Sequence, residues 1–99
     1  GNLKALRYAG GLTSLHLANT QVSGDLKETL QAHTQLKVLN LSNTAVFGEL
    51  GSLRRARRLE VLDLSNTHVN GNLGALTQAG YLKKLDLSNT AVSGKLKVL

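Results

Sequence analysis

Asp63 and Asp86 are the residues of this chain best placed to do chemistry. They stand 23 residues apart at the same place in two near copies of one stretch, "VLDLSNT" and "KLDLSNT". If each copy forms a strand and the strands lie side by side, the spacing between strands brings the two carboxylates to roughly 5 Å. Retaining glycosidases use carboxylates at such a distance, and like charges that close can share a proton. No arginine, tyrosine or amide set converges on the pair, however, and a flat or gently curved sheet has no pocket from which to exclude water. The expectation is therefore a non-catalytic acidic spot, partly offset by Lys84, that docks a basic side chain. His16, His33 and His68 fall at three different places in the repeat, so they do not converge as metal ligands do. Without cysteine there is no thiolate site, no disulfide framework and no cysteine nucleophile. No cofactor or metal is expected.

What would position these groups is a repeat. "LSNT" occurs at Leu41, Leu64 and Leu87, and "LANT" at Leu17, giving spacings of 24, 23 and 23 residues. That period is architectural, too long for a helix or strand. The common frame is L-x-x-L-x-L-x-N-T-x-V-x-G-x-L. In "LKVLNL", Leu39 and Leu41 alternate with Val38 and Asn40, the period of a strand with one buried face. One short strand per unit is predicted. Val46 and Leu50 lie too far along to continue that alternation, and glycine recurs at Gly24, Gly48, Gly71 and Gly94, so the chain is expected to turn there and cross back. Asn19, Asn43, Asn66 and Asn89 suit the turn by bonding local backbone. In "GDLKETLQAHTQ", Asp25 precedes Glu28 by three residues and Leu26 and Leu30 are one helical turn apart, which predicts a short helix. The shorter "GSLRRARR" and "GALTQAG" predict single helical or 3₁₀ turns.

This frame resembles the leucine-rich repeat, L-x-x-L-x-L-x-x-N/C-x-L, over essentially all 99 residues. The resemblance implies an α/β repeat fold: a right-handed solenoid with a concave parallel β-sheet and short helical, 3₁₀ or irregular convex segments. On that frame residues 1–99 are one domain, with a partial unit 1–11, units 12–35, 36–58 and 59–81, and a partial unit 82–99. Thr20, Thr44, Thr67 and Thr90 replace the family's usual Asn or Cys, and their inward hydroxyls are expected to satisfy bend backbone and stack as a structural ladder. "VSGDL", "VFGEL", "VNGNL" and "VSGKL" look similar to the plant-type unit. The missing proline and the threonines resemble surface and intracellular leucine-rich proteins of single-celled eukaryotes more than plant receptor ectodomains.

Repeat proteins bind through the concave face. The outward residues there are Ser14, Val38, Val61 and Lys84, beside His16, Asn40, Asp63 and Asp86, and they vary within a fixed frame. They are the candidate partner-binding residues of a protein-interaction module, in a receptor or regulatory scaffold. Phe47, whose place Ser23, Asn70 and Ser93 take in other units, is either a packing residue or an exposed anchor. The alternative is a self-associating segment, because no polar capping sequence covers Leu3 and Leu6 or Leu96 and Leu99.

The net charge of +6 suits an acidic partner or nucleic acid, yet four of the twelve basic residues sit in "RRARR", Arg54 to Arg58, so the basic excess is partly local and reads first as solvated charge. Ala56 is the inward residue of that run, and its arginines project into water. With no interleaved aromatic for base stacking, and Glu49 and Glu60 flanking it, nucleic acid is not the expected partner. The chain has no Met and reads as a fragment of a natural protein. No apolar run approaches the roughly 18–20 residues that span a bilayer, and no signal-peptide pattern opens the chain. The segment is expected to be soluble, its compartment open.

Overall fold

The leucines of the frame fold as the period of two demands. The computed structural model describes residues 12–27, 35–53, 56–76 and 80–93. Within them the strands are β1 (Ser14–His16), β2 (Ser23–Asp25), β3 (Val38–Asn40), β4 (Ala45–Glu49), β5 (Val61–Asp63), β6 (His68–Asn72), β7 (Lys84–Asp86) and β8 (Ala91–Ser93). One parallel sheet has the order β1-β3-β5-β7, with Leu15, Leu39, Leu62 and Leu85 in register as its inward column. Leu39 and Leu62 are fully buried.

A second parallel sheet, β2-β4-β6-β8, corrects the expectation of one strand per unit. The chain does not turn at the glycine; β4 runs through Gly48 and β6 through Gly71. Its register slips relative to the repeat. Ser23 pairs with Ala45 rather than with its equivalent Phe47, so Gly24, Gly48 and Gly71 face Val46, Val69 and Val92 of the next coil. These three glycines have φ of 121°, 115° and 113°, a conformation that side chains resist. Space is also short. A Cβ on Gly48 would meet Asp25 Oδ1 at 2.5 Å and Leu26 N at 3.3 Å, and one on Gly71 would meet Leu50 N at 3.0 Å.

Behind the second sheet, 3₁₀ turns at Leu50–Leu53 and Leu73–Leu76 match the single turns expected of "GSL" and "GAL". After β2, Leu26 and Lys27 are helical, and the Lys27 N–H donates to Asp25 Oδ1 at 3.0 Å, a side-chain cap two residues on rather than the three of a capping box. Glu28 and Leu30, the rest of that expectation, lie outside the described residues, as do His33, Arg54, Arg55, Gly94 and the end leucines Leu3, Leu6, Leu96 and Leu99. Leu26, Leu36, Leu41, Leu50, Leu59 and Leu64 join Leu39 and Leu62 in one continuous, fully buried stack. Among the described residues no helix is long and apolar enough to cross a membrane.

Between the sheets each coil bends at "SNT". Asn19, Asn43, Asn66 and Asn89 are left-handed, with φ from 56° to 59°. Asparagine tolerates this better than any residue but glycine. Their backbone N–H groups bond across coils, Asn19 to Ser42 O, Asn43 to Ser65 O and Asn66 to Ser88 O. The side chains also bridge coils rather than bonding local backbone: Asn43 Nδ2 donates to Asn19 Oδ1 and Asn89 Nδ2 to Asn66 Oδ1, both at 2.8 Å.

Candidate partner-binding surface

The first sheet carries two outward columns. Its register sets Ser14, Val38, Val61 and Lys84 side by side, and His16, Asn40, Asp63 and Asp86 beside them. Ser14, His16, Lys84 and Asp86 are exposed, while Val38, Asn40, Val61 and Asp63 are half-buried at the middle of the sheet. All eight candidate residues thus share one face.

The second column has structural work of its own. Asn40 Oδ1 accepts from the Ser42 N–H at 3.1 Å and the Ser42 hydroxyl at 2.8 Å. Asp63 Oδ1 does the same with Ser65, at 3.0 and 2.7 Å, and Asp86 Oδ1 with Ser88, at 3.0 and 2.7 Å. This is an Asx turn that starts the bend. The signal for it is in the sequence: where the acceptor is His16, the serine is missing too and Ala18 stands in its place. The Ser88 hydroxyl, then its N–H, hold the Asp86 carboxyl below the usual carboxylate range against a smaller opposing effect of burial.

The threonine hydroxyls bond within their own coils. Thr20, Thr44 and Thr67 each donate at 2.6 Å, and Thr90 at 2.5 Å, to the carbonyl of the leucine three residues earlier, Leu17, Leu41, Leu64 and Leu87 respectively. The expected run of hydroxyls from coil to coil is replaced here by the asparagine pairs, because the i−3 carbonyl is nearer than the next threonine. Thr44 and Thr67 are buried. Thr67→Val keeps the shape but leaves the Leu64 carbonyl without that donor, so a loss of about 1–2 kcal/mol is expected in urea unfolding. The same change at exposed Thr20, which water can compensate, should cost less.

Phe47 lies on the second sheet, 47% exposed, between Asp25 and His68 in neighbouring strands. It is therefore not packed into the core. Ala56 is buried as expected, and Arg57 and Arg58 are exposed. Among the described residues no three His, Cys, Asp or Glu side chains gather as a metal site.

No protein-family model and no curated protein matches the chain. Solved structures do. A chain of the BIR3–SERK2 complex from Arabidopsis thaliana is 24% identical, with a TM-score of 0.81 over 97% of this chain and 53% of that one. The BIR2 ectodomain from the same plant is 26% identical, with a TM-score of 0.78 over 93% of this chain and 50% of that one. The LRR ectodomain of its receptor kinase SOBIR1 is 29% identical, with a TM-score of 0.80 over 92% of this chain and 50% of that one. The chain spans about half the length of each. These are plant ectodomains, the type that the V-x-G-x-L stretch resembles and from which the missing proline and the threonines point away. Frame, register and fold together are those of a leucine-rich repeat solenoid, with the first sheet in the place of its concave sheet.

Proposed function

We propose that this chain is a non-catalytic protein-interaction module that holds a protein partner against the outward columns of its concave sheet. The observation that carries this is the arrangement of those columns. Val38 and Val61 stand in register as a half-buried apolar centre, with Ser14, His16, Lys84 and Asp86 exposed around it. An apolar centre within a polar rim is the anatomy of protein interfaces. Asn40, Asp63 and Asp86 each commit one oxygen to the bend, leaving the second carboxylate oxygen of each aspartate for a basic group. A chain similar to this one is part of a protein complex, BIR3 with SERK2. Phe47 is a separate candidate anchor on the second sheet.

A photo-crosslinking residue at Val61, and separately at exposed Asn70 on the second sheet, tests the reading in extracts of cells that express the protein. One partner labelled from Val61, and weakened about tenfold or more by Val38→Glu, is the expected result. Labelling from Asn70 alone would move the site to the second sheet around Phe47. The alternative reading is self-association of the segment. Mass that rises with concentration in light scattering would favour it.

A further inference from the structure

Each strand of the concave sheet is entered through a repeated irregularity. The Thr13 carbonyl accepts from both Lys37 N at 2.7 Å and Val38 N at 3.2 Å. Lys37 O accepts likewise from Glu60 N and Val61 N at 2.7 and 3.1 Å, and Glu60 O from Lys83 N and Lys84 N at 2.7 and 3.1 Å. One carbonyl shared by two successive N–H groups thus opens each strand, and beyond it the register is one to one. Here it sets Lys37, Glu60 and Lys83 in a column along the sheet's entry edge, ahead of the two columns of the face. One position further out, Arg58 and Tyr81 precede the equivalent leucines Leu59 and Leu82.

Lys37, Arg58, Glu60 and Tyr81 line a depression of about 300 Å³ at this edge. Its charges are unevenly matched. The carboxylate of Glu60 is met from outside by Lys83 Nζ at 3.5 Å, the one ion pair among the described residues. Lys37 and Arg58 therefore remain as two exposed cations without a carboxylate partner there. Tyr81 is 67% exposed, an aromatic wall that the core does not use.

We infer that this edge is a second binding site, formed by Lys37, Arg58 and Tyr81, for an acidic peptide segment of a protein partner. The guanidinium of Arg58 offers a fork that matches a carboxylate, and Lys37 adds a point charge. Tyr81 supplies an apolar face with a hydroxyl at its tip. The volume lies at the lower end of the range for ligand pockets, room for one or two side chains of an extended segment. Glu60 in the wall and a single aromatic oppose a nucleic-acid strand, which needs several stacking faces and repeated phosphate contacts. The net charge of +6 draws an acidic segment towards the protein. This site does not depend on the concave-face reading, since none of its residues belongs to the two columns.

Fluorescence anisotropy of a labelled peptide of alternating Glu and Ala, at low and then physiological ionic strength, tests the site. The unaltered protein should bind it, and Lys37→Glu with Arg58→Glu should weaken binding by about tenfold or more, since each reversal turns an attraction into a repulsion. Tyr81→Ala should weaken it measurably. Arg57→Glu, an exposed neighbour outside the depression, should leave it unchanged. No binding by the unaltered protein overturns the inference. So does an equal loss from Arg57→Glu, which would mean diffuse attraction, or tighter binding of a single-stranded oligonucleotide. Loss on Val61→Glu but not on the Lys37 and Arg58 changes would place the peptide on the concave face instead.

Discussion

Gly71→Ala is expected to destabilise the protein by about 2–4 kcal/mol, combining backbone strain at a positive φ with overpacking. At φ of 113° an alanine is strained whatever space surrounds it. Its Cβ would also stand 3.0 Å from Leu50 N and 3.4 Å from Leu50 Cβ, where the preceding coil opens its 3₁₀ turn. Backbone cannot swing aside as a side chain can, so β6 and the turn behind it must separate. Gly48→Ala meets a softer obstacle first, the Asp25 carboxylate, but pushing it away also removes the cap on Lys27 N. Gly80 is the control, because a Cβ there meets nothing within 4 Å. Gly80→Ala should stay within about 0.5 kcal/mol of the parent, as surface changes usually do. Urea midpoints for the three variants decide the matter. If Gly71→Ala and Gly80→Ala unfold together, close approach between coils is not why glycine recurs in the frame.

The same glycines explain why the second sheet was not legible in the sequence. The alternation does continue past "LSNT": Val46, Gly48 and Leu50 all fall on inward places, with Ala45, Phe47 and Glu49 exposed between them. The middle inward residue has no side chain, because the neighbouring coil fills the space that one would occupy. A period of two with a blank at its centre reads as a break, and Val46 and Leu50 then look too far apart to belong to one strand. The first sheet was legible for the opposite reason. Its inward places all carry leucine, and the spacing of 23 or 24 residues fixes which leucines meet.

The candidate surface was legible in position but not in chemistry. Spacing alone put Asp63 beside Asp86, and the register agrees. Their bonds to Ser65 and Ser88 were written in the pairing of Asn or Asp with Ser two residues on, a pattern visible only once coils with the pair are compared with the His16 and Ala18 coil. The consequence for experiment is practical. Reversing the charge at Asp63 would remove the acceptor for the Ser65 N–H and hydroxyl as well as a half-buried charge, so a lost partner could reflect a damaged bend. Val61, which makes no such bond, is the cleaner probe of the concave face. The depression at the entry edge had no counterpart in the reading of the sequence, since "RRARR" looks like a uniform basic run. Only the fold separates Arg58, facing Tyr81 of the next coil, from Arg57 beside it.

Leu62→Ala should have a comparable or larger effect than any change at the glycines, about 3–5 kcal/mol for truncating a leucine that cannot be reached by solvent. Leu62 sits at the middle of the stack, paired with Leu39 on one side and Leu85 on the other. In a solenoid each coil contacts only its neighbours, so stability is shared along a line of interfaces. A cavity at Leu62 weakens two interfaces at once. Leu85 is half-buried, and Leu85→Ala should cost only about 1–2 kcal/mol, in proportion to the apolar surface it loses. Because a domain of this size holds only about 5–15 kcal/mol in all, the central change should also loosen the coupling between the two ends. Circular dichroism averages over all coils in a urea titration. In a Tyr8→Phe background, tyrosine fluorescence comes from Tyr81 alone and reports the end that carries β7. In the parent the two curves should coincide; in Leu62→Ala they should separate, the mark of lost two-state behaviour. Equal losses from Leu62→Ala and Leu85→Ala, with coincident curves in both, would mean that the chain folds as an undivided core rather than as stacked coils.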